Sequence, residues 1–127
     1  MTQNDVKEYC LAKPRTYIDY PFGEISMCIR INGGNHTPIF AQIDFPKGKN
    51  KITIRCNPEL AQFYRSEYPE FVTRGYYCPP VQQPYWNTVS LELPDETLYA
   101  MLDEAYRSGI SKLPKYLQKE IYGRVVL

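Results

Sequence analysis

From Arg74 to Leu91 the chain reads Arg-Gly-Tyr-Tyr-Cys-Pro-Pro-Val-Gln-Gln-Pro-Tyr-Trp-Asn-Thr-Val-Ser-Leu, and here the side chains best suited to holding a ligand are concentrated. Tyr76, Tyr77, Tyr85 and Trp86 offer ring faces with polar edges, able to stack on bases or on an apolar ligand without regard to sequence. Packing is the competing use of such rings. Alternation in a two-sided sheet sends about half of them inward, so one of Tyr85 and Trp86, but not both, is expected in the core. Gln82, Gln83 and Asn87 add amide donors and acceptors. Asn87 and Thr88 equally suit capping or cross-strand pairing.

Other chemistries find less support. Asp19, Asp44, Asp95 and Glu96 stand beside no His, Ser or Cys at a spacing that makes a nucleophile and base pair, and no glycine loop cradles a phosphate, so the chain reads as no enzyme. Cys10, Cys28, Cys56 and Cys78 lie far apart with no C-x-x-C, which argues buried reduced thiols and no metal or cofactor. His36 follows a Gly-Gly-Asn turn and reads as a solvated loop imidazole.

The elements that must position these residues follow from punctuation and period. Thr2 or Asn4 caps a first helix through about Lys13, ended by Pro14. Tyr17 to Gly23 is a turn-rich link whose Tyr20 and Phe22 are expected to plug the core. Ile25, Met27, Ile29 and Ile31 alternate with Ser26, Cys28, Arg30 and Asn32, and Ile39, Ala41 and Ile43 repeat the pattern. With Lys51 to Cys56 these make a three-strand antiparallel meander. Asn57-Pro58-Glu59 starts a second helix with Leu60, Phe63, Tyr64 and Tyr68 on its apolar stripe. Two β-like arms, Tyr76 to Cys78 and Tyr85 to Leu91, flank the prolines, which cannot donate ladder hydrogen bonds. Pro94-Asp95-Glu96 then opens a helix carrying Leu98, Met101, Leu102, Ala105 and Tyr106, loosened at its end by Gly109, and a last short helix follows Pro114. The order α-β-β-β-α-β-β-α-α predicts an α+β domain: an antiparallel sheet of about five strands with helices packed on one face.

At 127 residues, 43% hydrophobic, the chain suits one domain over residues 1–127. Fifteen basic against fourteen acidic residues leave a net charge of +1, so attraction to nucleic acid must be local, and no general pull to a membrane is expected. The first residues lack a basic segment followed by an apolar run, and no stretch of some eighteen apolar residues occurs, so a cytoplasmic protein, read as a monomer, is expected.

Tyr20-Pro21-Phe22-Gly23, Gly75-Tyr76, Trp86-Asn87-Thr88-Val89, Pro94-Asp95-Glu96 and Lys112-Leu113-Pro114-Lys115 occur in the order and near the spacing of one known family. In these pieces, over nearly its whole length, the chain resembles the MmcQ/YjbR-like family of small bacterial proteins. The resemblance implies a CyaY-like fold and a DNA-binding surface, the double wing, made by two hairpin projections. The first wing maps onto Asp44 to Lys51, where Lys47, Lys49 and Lys51 suit phosphate contacts, although they equally suit a solvated turn that protects a sheet edge. The second wing departs from the family pattern: it is longer, and it lacks the lysine and both histidines that family members usually carry.

Residues 46–90 hold six basic side chains, Arg55, Arg65 and Arg74 among them, against three acidic ones, a segmental charge of +3. Three or four phosphate contacts imply weak, salt-sensitive, non-specific binding. The functional expectation is therefore a non-catalytic DNA-binding protein using a basic turn beside an aromatic wing on one shared face, through Lys47, Lys49, Lys51, Arg55, Arg74, Tyr76, Tyr77, Gln82, Gln83, Tyr85, Trp86 and Asn87. The alternative is a protein- or small-molecule-binding module that uses the aromatic wing and needs no basic turn.

Overall fold

In the computed structural model, which describes residues 1–44, 48, 50–75 and 79–125, the first two helices start on a side-chain cap. Helix α1 (Gln3–Leu11) opens on a capping box in which Thr2 and Asp5 satisfy each other's backbone N–H groups. In α2 (Pro58–Glu67) the Asn57 side chain accepts from the Leu60 amide, with Pro58 at the first position. Helix α3 (Asp95–Ile110) begins with two acids facing the positive end of its own dipole, and α4 (Lys115–Val125) follows Pro114.

Six strands form one antiparallel sheet: β1 (Thr16–Asp19), β2 (Ser26–Ile31), β3 (Ile39–Asp44), β4 (Lys51–Arg55), β5 (Val72–Arg74) and β6 (Trp86–Ser90), in the order β1-β2-β3-β4-β6-β5. The α+β class and the meander agree with the sequence expectation. The sixth strand is β1, which the turn residues after it had disguised as a link; it pairs along Thr16 to Asp19 with Ile31 to Cys28. Tyr20 and Phe22, expected in the core, are 49% and 59% exposed. They lie just past the edge strand, in a turn closed by Gly23 at φ +84°, where no second layer faces them.

Alternation also fails at one point in the sheet. Between Ile29 and Arg30 the register jumps, pairing Ile29 with Ala41 and Arg30 with Ile39, so Phe40 is the extra residue of a β-bulge. Ala41 and Ile43 lie in the core as expected, and the bulge reverses which side chain faces inward just before them. Phe40 is fully buried and meets Tyr106 edge-on at 5.5 Å, while Ile39, expected inward, is half-buried. Ser26 and Cys28, on the supposed solvent side, are buried as well, and Ile25 is exposed.

A single core gathers Val6 and Cys10 from α1, Ala61 from α2, Leu98, Met101 and Leu102 from α3, and Leu117 and Ile121 from α4 onto Ile29, Ile43, Ile52, Ile54 and Val89 of the sheet. On α2 the buried residue is Ala61, not the predicted stripe: Leu60, Tyr64 and Tyr68 are half-buried and Phe63 is exposed. The helix backbone approaches β6 there, where the Ala61 carbonyl accepts from Asn87 Nδ2 at 3.1 Å. Gly109 continues α3 to Ile110, and a Cβ on it would stand 2.7 Å from Ile31, so it permits close helix–sheet packing.

Helices α1 and α3 are joined by polar contacts. The Asp103 carboxylate accepts from the Tyr9 hydroxyl and the Lys13 ammonium, both at 2.6 Å. Burial pushes this carboxyl up, but the bonds from Lys13 and Tyr9 outweigh it and hold the group below its ordinary value. A depressed carboxyl adds stability that is present above the unfolded value, about 4, and lost as pH falls through the folded one. Asp103→Asn is therefore expected to lower the urea midpoint near neutrality by an amount equivalent to about 0.5–1 kcal/mol. The variant should also lose stability less steeply than the parent below about pH 4. Equal slopes would remove this linkage.

Candidate functional site

The core side chains of β4, Ile52 and Ile54, point to the helices, so Lys51, Thr53 and Arg55 point to the other face, which no helix covers among the described residues, although Thr53, Thr88 and Ser90 on it are buried. The register sets Ser90, Thr88 and Trp86 beside them on β6. Asp19, Cys28, Arg30, Gln42 and Asp44 continue this face across β1, β2 and β3. Much of its charge is used internally. Asp19 accepts from Arg30 Nε at 2.7 Å, Asp44 accepts from Ser26 and Gln42, both at 2.7 Å, and Thr53 meets Thr88 at 3.4 Å.

One group stands apart. The Arg55 guanidinium lies over two rings, 5.3 Å from the centroid of Tyr85 and 5.9 Å from that of Trp86. Consecutive residues of a strand point to opposite faces, so both rings can reach one arginine only because Gln83–Tyr85 forms a 3-10 turn immediately before β6. Pro84 lies within this turn, and Cys56 N donates to Tyr85 O at 2.8 Å, anchoring it to the end of β4. Arg55 Nε is buried with no hydrogen-bond acceptor among the described residues. That burial pulls the group below the usual guanidinium range, although the neighbouring Tyr85 acts the other way.

The structure divides the predicted residues. Lys51, Arg55 and Trp86 share the helix-free face, with Tyr85 beside them; Gln82 is exposed and Gln83 half-buried in the adjoining turn. Neither Tyr85, 38% exposed, nor Trp86, half-buried, is a core residue, which corrects the expectation that one would be. The Arg55 side chain takes up the ring surface that packing would have used. Asn87 belongs to the opposite face: fully buried, it accepts from Arg65 Nη1 at 2.7 Å and donates to Ala61 O at 3.1 Å. It fastens α2 to β6 and does not join the open surface. Arg74 is exposed but pairs with Asn87 two residues beyond buried Val72, which puts it on the helix side. Its charge, after burial, helps lower Arg65 from its ordinary value. Lys47, Lys49, Tyr76 and Tyr77 lie outside the described residues.

The expected pairing of a basic and an aromatic projection side by side does not follow from the register. The β3–β4 connection enters β4 at Lys51, opposite Ser90, whereas the β5–β6 connection enters β6 at Trp86, opposite Arg55. The two ends are four residue steps apart, about 13 Å. Gln3 of α1 also donates to the carbonyls of Gly48 and Lys51, drawing that end toward the helix layer. What sequence reasoning missed was the contact of Arg55 with both rings, because the 3-10 turn that creates it leaves no period to detect.

Elsewhere, an open groove of about 270 Å³ between the start of α2 and the end of α3 is lined by Cys56, Asn57, Leu60, Glu104, Arg107 and Ser108, and Arg107 is paired to Glu104 within it. The Cys10 and Cys56 thiols are pushed up to about 12 by burial and are poor nucleophiles; Cys28 is raised by the same cause. Among the described residues no cluster of three His, Cys, Asp or Glu side chains could hold a metal ion, and no helix is long and apolar enough to cross a membrane.

The model of the YjbR family matches residues 11–108. A Deinococcus radiodurans protein, DR2400, of domain family DUF419, superposes with a TM-score of 0.82 at 22% identity, covering 94% of this chain and 87% of its own. A protein from Pseudomonas syringae superposes with a TM-score of 0.66 at 18% identity, covering 83% of this chain and 96% of its own. No curated protein matches the chain. At these identities the structural likeness speaks for the fold.

Proposed function

The chain belongs to the YjbR family, and from that premise and the geometry of its helix-free face we propose that it is a non-catalytic, weak and non-specific DNA-binding protein. The observation that carries this reading is the Arg55 guanidinium held over Tyr85 and Trp86, with Lys51 on the same face of the same strand. A cation fixed on aromatic rings meets phosphate without losing much side-chain freedom, and the rings beside it suit bases. The reading places the contact at the Arg55 end of the β4–β6 pair, where Tyr85 is exposed.

The two phosphate contacts open to Lys51 and Arg55 supply little binding, so retention should be seen at low salt and fade as salt rises. Changing Lys51 and Arg55 together to Ala is expected to abolish retention on immobilised DNA at low salt while leaving the fold intact by far-UV circular dichroism. Undiminished retention would end the proposal. A second reading, docking of a protein or an apolar small molecule, is favoured by Val81, 78% exposed in the same connection as Tyr85. Such binding would survive the Lys51 substitution and be indifferent to salt.

A further inference from the structure

We infer that the outer face of α4 is a second phosphate-contacting surface, so that one chain holds two DNA segments on opposite sides of its core; the inference rests on the DNA-binding reading above. Leu117 and Ile121 turn α4 into the core, together with Leu113 from the turn before it. At about 100° per residue, Lys115, Tyr116 and Lys119 then fall together on the far side, and all three are exposed, Tyr116 to 71%. Lys112, in the preceding turn, is exposed as well.

This charge is not neutralised inside the molecule. Lys13, Arg15, Arg30 and Arg107 are each paired with a carboxylate, whereas Lys112, Lys115 and Lys119 form no ion pair among the described residues. The only acid of α4, Glu120, is drawn to Arg15 at 3.5 Å. The arrangement also works against the helix that carries it. Lys115 stands in the first turn, where the dipole disfavours a cation and no acid offsets it, and Lys119 repels it from one turn on. The fold gains nothing from three lysines so placed; a polyanion laid along them does.

The chemistry of the stripe selects the kind of polyanion. Lysine is depleted at protein–protein interfaces, and a face whose one ring is Tyr116 offers no desolvated centre. Membrane insertion needs an apolar helix side, and that of α4 is turned to the core. Flexible ammonium groups in a row, with a phenol among them, suit a phosphodiester backbone, which is contacted at its phosphates without regard to sequence.

Position adds the second segment. Arg55 follows Ile54, which lies in the core, so it faces away from the helix layer, while the lysines of α4 stand on the outside of that layer. A straight duplex resting on one set cannot reach the other. Two weak sets on one body hold densely immobilised DNA as a bivalent contact, and retention needs both.

The full chain is added at low salt to a duplex immobilised on beads, followed by a labelled second duplex. The expected result is capture of the second duplex, and at least about tenfold less capture when Lys112→Gln, Lys115→Gln and Lys119→Gln are combined. That variant should keep its circular dichroism and have a urea midpoint no lower than the parent's, which lysines needed by the fold would not allow. Loss of three phosphate contacts should also flatten the logarithmic salt slope by about 2.7. Lys112→Arg, Lys115→Arg and Lys119→Arg together should retain capture. Undiminished capture by the glutamine variant would overturn the inference and leave the Arg55 reading standing. Phosphatidylserine vesicles bound as tightly as duplex through the same lysines would overturn it too, in favour of a membrane. If Lys51→Ala with Arg55→Ala leaves retention undiminished while the glutamine variant loses it, the Arg55 reading fails, and with one contact face left so does the holding of two segments.

Discussion

Replacing Phe40 by Ala is expected to lower stability by about 3–5 kcal/mol, the largest effect of any single truncation considered for this protein. The ring is fully buried and meets Tyr106 edge-on, and the helix against which it packs comes close because Gly109 has no side chain. Truncation removes the ring's transfer free energy and leaves a cavity between β3 and α3 that rigid neighbours cannot fill. Since domains of this size are stable by about 5–15 kcal/mol, the variant should unfold at a much lower urea concentration with an unchanged slope. Ile39→Ala is the matched comparison, because Ile39 is half-buried on the face without helices and should cost far less. If the two substitutions cost the same, the bulge between Ile29 and Arg30 does not set the facing of β3 as described.

Asn87→Ala should cost about 2–4 kcal/mol, for a different reason. Its side chain satisfies a guanidinium and a helix carbonyl at once, accepting from Arg65 and donating to Ala61. Removal strands both partners in a partly desolvated seam between α2 and β6, and a stranded polar group costs more than the net worth of its bond. The prediction separates two roles that the sequence leaves open. A structural Asn87 lowers the denaturation midpoint, and a double-mutant cycle with Arg65→Ala gives a coupling of about 1–3 kcal/mol. A ligand-contacting Asn87 would leave the midpoint unmoved and weaken retention on DNA.

The route from sequence to site was open in some places and closed in others. Capping residues are legible because they act within one turn of chain: Thr2, Asn57 and the acids after Pro94 all stand where their helices begin. The stripe of Leu98, Met101, Leu102, Ala105 and Tyr106 is legible because its period is that of a helix with one buried side. Phe40 was not, since a one-residue bulge in β3 reverses inside and outside without changing the composition of the strand. Strand β1 was hidden for a related reason: an edge strand of four half-buried residues lacks a clear alternation.

Among the expected site residues, the aromatic stretch and Lys51 stand out by type alone, while which of them lie together does not. Asn87 and Arg74 lie in or beside the same motif as Trp86 and face the other way, because neighbouring strand positions point to opposite sides and β6 is covered on one of them by α2. The sequence by itself determined the α+β class, the positions of the four helices and the presence of a ring-rich stretch, since these rest on local spacing and composition, and its short motifs carried the resemblance to the family. Only the tertiary structure decided that Arg55 meets Tyr85 and Trp86, that Asn87 is a fastening inside the molecule, and that the two connections depart from opposite ends of the sheet. Register and twist are properties of strands meeting across long separations in the chain, and no window of sequence contains both partners.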